Sequence, residues 1–228
     1  MKKVLLSVLG ALAITPAYAV ETSGTIGFTN DYRFNGISQT AGDPAIQGSL
    51  DLAFDSGVYA GIWGSNVDFG DDANLEIDYY VGYSNDITDD LSYDVNYAWY
   101  TYPGYDAADG DYGQLNLSLF YGNASVTYGY ANDYFNSGEA GQYIAFDYSQ
   151  PLPHEISLDL HAGHSFGDYW GKVDIDDYED YSIGLSGSFA GLDLSAAYVI
   201  TSIDSEDEID SGLFRNDNAL VVSVSRTF

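Results

Sequence analysis

Apolar and polar residues alternate along nearly the whole chain from residue 20 onward, with the period of a β-strand. Leu75, Ile77, Tyr79, Val81 and Tyr83 interleave with Glu76, Asp78, Tyr80, Gly82 and Ser84. Leu91, Tyr93, Val95, Tyr97 and Trp99 interleave with Ser92, Asp94, Asn96, Ala98 and Tyr100. The same track runs through 46–54, 115–121, 156–166, 181–189, 192–200 and 220–228. It is less regular through 22–34, 58–69, 124–132 and 142–150. About twelve strands are therefore predicted, each about 9–11 residues long, the length a tilted strand needs to cross hydrocarbon. Soluble strands are shorter, typically about 5–6 residues.

The connections alternate in kind. Residues 55–57, 122–123 and 190–191 are tight turns, with 85–90 and 151–155 somewhat longer. Residues 35–43, 103–111, 133–141, 167–179 and 201–217 are long, while 70–73 is shorter than its side predicts. Short turns on one side and long loops on the other is the outer-membrane pattern, with the long loops outside the cell. An open sheet would leave unpaired edges in lipid, so the last strand must pair with the first. The fold expected is all-β: a closed antiparallel transmembrane β-barrel with short periplasmic turns and longer extracellular loops. Two checks bear on it. A basic side chain facing the bilayer midplane costs about 2–4 kcal/mol, and Arg226, near the chain end, is the one charge on the outward tracks. All six returning strands also end outward in an aromatic, at Phe54, Tyr83, Tyr121, Tyr148, Phe189 and Phe228. A soluble β-sandwich would alternate too, but would have no need of matched aromatic girdles.

The N-terminus sets the compartment. Lys2 and Lys3 precede an apolar run over 4–14 and a small-residue cleavage site at Ala17-Tyr18-Ala19. Residues 1–19 are read as a cleavable signal peptide and 20–228 as the barrel. Composition then removes several function classes. The chain has 35 Asp and Glu against six Lys and Arg, for a net charge of −29. Without Lys2 and Lys3 the basic residues are Arg33, Lys172, Arg215 and Arg226. Such a chain repels nucleic acid and anionic lipid surfaces. Cysteine is absent, which excludes disulfides and thiolate metal sites. The content of 22 Tyr, 11 Phe and three Trp excludes disorder.

The segment Asp31-Tyr32-Arg33-Phe34-Asn35-Gly36-Ile37-Ser38-Gln39-Thr40, followed by Pro44-Ala45-Ile46-Gln47-Gly48, resembles the start of the TorF family of porins. Residues 59–69 (YAGIWGSNVDF) and 76–83 (EIDYYVGY) continue the resemblance. It implies an outer-membrane barrel of porin type in a Gram-negative bacterium and supplies no substrate. Asn35 stands where the family often carries a second basic residue, which weakens any basic-constriction model carried over from the family. Leu220, Val222 and Val224 with the final Phe228 look like the C-terminal signal read by the outer-membrane assembly machinery.

Chemistry is expected on the inward track. By phase, Asp51, Asp68, Glu76, Asp78, Asp94, Asp147, Asp159 and Asp193 face the lumen, with Arg33 as the one inward base. Rings of carboxylates in a pore favour cations; the plainer reading is a solvated wall. Twelve strands lie between side-chain-filled eight-stranded barrels and open sixteen-stranded porins. The acidic runs 174–180 and 204–210 lack the spacing of a calcium loop and are read as solvated loops. His154 falls in a turn, His161 points inward beside carboxylates, and His164 points outward near the external rim. No His and Ser share a strand face at close spacing, so no catalysis is expected. Tyr134-Phe135-Asn136 and Tyr169-Trp170-Gly171 are assigned to an external aromatic girdle. The reading is a passive porin for small hydrophilic solutes, with a preference for cations and with no cofactor or metal. Its partners would be outer-membrane lipid, the assembly machinery and the solute. The alternative is a non-conducting structural or adhesive barrel, and a barrel hydrolase comes third.

Overall fold

The computed structural model describes residues 20–70, 72–106, 109–203 and 217–228. The signal peptide assigned to 1–19 and the acidic run 204–210 lie outside the described residues. Ten long strands carry the chain from residue 20 to 189: β1 (Val20–Thr29), β4 (Ala45–Phe54), β5 (Val58–Asn66), β6 (Leu75–Asp86), β7 (Leu91–Thr101), β8 (Tyr112–Tyr121), β9 (Ala124–Ala131), β10 (Gly141–Pro151), β11 (Ile156–Phe166) and β12 (Tyr178–Phe189). They are followed by β13 (Leu192–Thr201) and β14 (Ala219–Thr227). Two short strands, β2 (Arg33–Phe34) and β3 (Ile37–Ser38), form a separate hairpin between β1 and β4. The twelve long strands make one closed antiparallel barrel, each pairing with its neighbour in sequence. The last strand closes on the first with Thr25–Thr29 opposite 223–227, and Phe228 and Gly24 exchange backbone hydrogen bonds of 2.9 and 3.0 Å.

Closure removes the sheet edge, and the period-two pattern then sorts side chains into a wall with two faces. Ile46, Leu50, Leu119, Ile183, Leu185 and Leu220 are exposed on the outside, Ile46 by 66%. In water such a band would be an aggregation surface; in hydrocarbon it is the required one. Leu220, Val222 and Phe228 of the final segment belong to this outer face, and Val224 lies beside Phe28 in the closing seam. Arg226 is exposed near the chain end. A second outward polar group lies at the opposite rim, where His164 Nδ1 sits 3.5 Å from Glu179 Oε1.

The longer connections lie at one end of the barrel, and their described residues turn back into its mouth. Ile37, Val67, Phe69, Ala73, Tyr102, Tyr134, Trp170 and Ile175 from these connections are buried in one apolar cluster. Tyr32, Tyr105, Phe135, Tyr169 and Ile203 pack against it. The cluster rests on inward residues of the wall, Ala98, Tyr100, Tyr112, Ala131 and Tyr178. Ring centroids lie 4.8 Å apart for Tyr112 and Tyr134, 4.7 Å for Tyr134 and Tyr169, and 4.9 Å for Trp170 and Tyr178. The assignment of Tyr134-Phe135 and Tyr169-Trp170 to an external girdle is therefore corrected: these rings form a plug inside the mouth. An aromatic loop gains more by burying its rings against facing aromatics than by leaving them in water, each ring covering about 150–250 Å². Burial also pushes the phenols of Tyr102 and Tyr134 well above their ordinary value, so the plug carries no tyrosinate charge.

The β2–β3 hairpin is part of this plug. Its two-residue turn, Asn35-Gly36, has φ of 47° and 80°, the double left-handed geometry that Asn-Gly favours. Phe34 reaches Tyr100 on β7, at 6.0 Å between rings, while the Tyr178 hydroxyl on β12 donates to Asn35 O at 3.0 Å. The hairpin thus bridges two walls.

Candidate functional site

Below the plug the inner wall is polar, and its geometry starts with glycine. On the β5–β6 ladder Tyr59 lies directly opposite Gly82, and Gly61 opposite Tyr80. A Cβ on Gly82 would come within 2.3 Å of the Tyr59 ring, and one on Gly61 within 2.4 Å of the Tyr80 hydroxyl. Each glycine therefore gives the opposing ring room to lie flat along the wall. The two rings point in opposite directions. The Tyr59 hydroxyl donates to Asp94 Oδ2 at 2.7 Å on β7, and the Tyr80 hydroxyl donates to Asp51 Oδ1 on β4. Asn96 adds a bond to Asp94 at 2.9 Å, and Ser49 one to Asp51 at 2.7 Å.

The same logic recurs around the barrel. Asp159 accepts from Ser149 Oγ at 2.7 Å and Ser186 Oγ at 2.6 Å, and Asp193 accepts from Ser188 Oγ. These donors are neutral. They orient the carboxylates without cancelling their charge, unlike a Lys or Arg partner.

One position is different. His161 Nδ1 faces Asp147 Oδ1 at 2.6 Å and His161 Nε2 faces Asp180 Oδ2 at 2.8 Å. Ionised carboxylates only accept, so both ring nitrogens carry protons and the side chain is an imidazolium between two acids. The Tyr143 hydroxyl donates to Asp180 Oδ1 at 3.0 Å. A Cβ on Gly163 would come within 2.1 Å of that hydroxyl and 2.5 Å of Asp180, so glycine makes room for the cluster. Ser182 is the cross-strand partner of His161, yet neither imidazole nitrogen is left to act as a base toward it. His164 at the outer rim and His154, at φ 67° in a turn, lie elsewhere. This is an electrostatic cluster, without the geometry of a nucleophile and its base.

Period two assigns Asp51, Glu76, Asp94, Asp147, Asp159 and Asp193 to the inner face, the face from which their Tyr, Ser, Asn and His partners reach them, and Asp78 to the same face as Glu76. It misplaced Asp68. β5 ends at Asn66, the chain turns inward, and Val67 and Phe69 are buried while Asp68 is exposed, accepting from the Gly70 N–H at 2.8 Å. Arg33 is also corrected. It sits on the plug hairpin, and not on the wall. Its Nε donates to Asp31 Oδ2 at 2.6 Å, and Asp31 Oδ1 accepts from Ser38 Oγ. Asp180 was missed because the acidic run 174–180 reads as loop. β12 begins at Tyr178, which puts Asp180 inward and Glu179 outward. The alternation of Tyr178 and Asp180 with Glu179 and Tyr181 was the available signal.

Gly36 joins plug to wall. A Cβ there would come within 2.6 Å of both Asp180 Cβ and Thr201 Cγ2, at a backbone φ that disfavours side chains. Gly36→Ala is expected to lift the hairpin and expose the buried Arg33. Limited trypsin digestion should then cut after Arg33 at least about tenfold faster than in wild type, since cleavage follows the population of the open form. Unchanged protection would show that the hairpin tolerates displacement.

A closed twelve-stranded barrel with an acidic inner wall and in-folded loops is a porin-like barrel. The solved structures agree in fold. The NanC porin superposes with a TM-score of 0.57 at 10% identity, covering 90% of this chain and 98% of its own. The KdgM porin superposes with a TM-score of 0.52 at 9% identity, covering 92% and 99%. At the level of sequence, residues 13–228 match the family Gcw_chp, described as a bacterial protein of unknown function, and the chain belongs to that family. No curated protein matches the sequence.

Proposed function

We propose that the protein is a porin of TorF type in the outer membrane of a Gram-negative bacterium, admitting small hydrophilic solutes by passive diffusion with a preference for cations. The observation that carries this is the set of neutral donors on the wall. Asp51, Asp94, Asp159 and Asp193 are held by Tyr, Ser and Asn, so their negative charge stays in the lumen. Carboxylates lining a narrow passage favour cations. Arg33, the one base expected to oppose them, is engaged with Asp31. The apolar outer face fits contact with outer-membrane lipid, and the outward Leu220, Val222, Val224 and Phe228 fit a signal to the assembly machinery. No step of passive diffusion needs a cofactor or turnover.

The test is single-channel conductance and reversal potential of the refolded barrel across a KCl gradient. A cation-selective potential that falls in D51N/D94N/D159N supports the reading. An anion-selective potential would overturn the electrostatic account while keeping the pore. The plug favours a second reading, a closed structural barrel, and folded protein that never conducts would establish it.

A further inference from the structure

Glu76 and Asp78 share the inward face of β6 just under the plug, two residues and so about 7 Å apart along the strand. They and Asp180 are the buried acids among the described wall residues, and unlike Asp180 they do not face an imidazole. Glu76 is 3% exposed and Asp78 8%. Glu76 Oε1 accepts from the Tyr102 hydroxyl at 3.1 Å, but Glu76 Oε2 and Asp78 Oδ1 are both buried without a hydrogen-bond partner. The groups that face the pair are the phenols of Tyr32, Tyr100 and Tyr102. Trp63 and Ser65 lie directly across the β5–β6 ladder from Asp78 and Glu76. None of these neighbours carries positive charge. Arg33 is held by Asp31, Lys172 donates to Ser137 O, and His161 lies between Asp147 and Asp180.

Two carboxylates with orphaned buried oxygens are costly unless something neutralises them. We infer that Glu76 and Asp78 bind one divalent, calcium-like cation at the base of the plug. The donors are oxygens only, which selects a hard cation over a transition metal. With both carboxyls ionised, as they are when they ligate a metal, the pair supplies two negative charges, which a divalent ion balances. The low exposure demands an ion that gives up much of its water, and Ca²⁺ accepts irregular oxygen coordination where Mg²⁺ dehydrates reluctantly. Tyr102 belongs to both the plug and the pair, so an ion here would tie the mouth of the barrel to its wall. The inference goes beyond the porin reading and holds whether or not the barrel conducts.

The experiment is equilibrium binding of Ca²⁺ to the chelator-treated, folded barrel in detergent, with tyrosine-sensitised Tb³⁺ emission measured on the same samples. One site per chain is expected. Its affinity should fall by about tenfold or more in E76Q/D78N, the scale on which carboxylate count tunes calcium sites. The D106N/D109N/D111N variant, altered in the neighbouring loop, should keep the site. Folding of each variant is checked by its heat-dependent gel shift, and E76Q alone replaces the double variant if that fails to fold. Binding that survives E76Q/D78N would assign the ion to the loops and overturn the proposal. Absence of stoichiometric binding in wild type would also overturn it and leave a shared proton as the neutralising charge.

Discussion

Replacing Tyr134, Phe135 and Trp170 together with alanine is expected to raise single-channel conductance several-fold while leaving the barrel closed. The three rings sit at the centre of the plug. Phe135 stacks on Tyr102 at 5.5 Å between centroids, Tyr134 meets Tyr112 tilted at 4.8 Å, and Trp170 meets Tyr178 edge-on at 4.9 Å. Removing one large aromatic from a packed core costs about 3–5 kcal/mol. Losing three removes the reason for the connections after β9 and β11 to stay inside. Those connections would move into water, and the cross-section they leave is large because a twelve-stranded wall is wider than a side-chain-filled one. The wall should survive, since its hydrogen bonds run strand to strand and close through β1 and β14 without help from the loops. Two readouts separate the outcomes. A retained heat-dependent gel shift with raised conductance shows a plug removed from an intact barrel. A retained shift with unchanged conductance would mean that current passes beside the aromatic cluster.

His161→Gln is expected to lower stability by about 3 kcal/mol, the scale for breaking a buried charge pair. The loss is uneven between its two partners. Asp147 is nearly half exposed, so its contact contributes little. Asp180 is 3% exposed and would keep only the Tyr143 hydroxyl as donor, leaving a buried charge without its counterion. The urea midpoint of refolded protein checks this. The double variant H161Q/D180N discriminates further, because it removes the stranded charge as well. It should be more stable than H161Q alone. Were the two variants equally stable, the His161–Asp180 contact would be structural packing and not an ion pair.

The wall was legible in the sequence. Leu75 to Ser84 and Leu91 to Tyr100 alternate because each strand has one outer and one inner face, and that alternation is a local property of neighbouring residues. It anticipated the twelve long strands and the closing of the last on the first. Even so, the boundaries slipped where strand and loop share a composition. β5 stops three residues early, at Asn66, and this turns Asp68 out and Val67 and Phe69 in. β12 starts three residues early, at Tyr178, and this brings Asp180 to His161.

The plug was decided only by the tertiary structure. Tyr134, Phe135, Tyr169 and Trp170 carry no period, and as a string they suit an external girdle equally well. Their position depends on Tyr112, Tyr102 and Tyr178, which come to face them only once the barrel has closed. The Asn35-Gly36 turn likewise names its own geometry in sequence, but the partner of its carbonyl is Tyr178, 143 positions away. The same holds for charge. Sequence counts the carboxylates, whereas which of them keep their charge in the lumen depends on whether the donor across the wall is a serine, a tyrosine or an imidazolium. Strand faces follow from backbone stereochemistry within a few residues, while loop burial and charge pairing follow from contacts that exist only in the closed barrel.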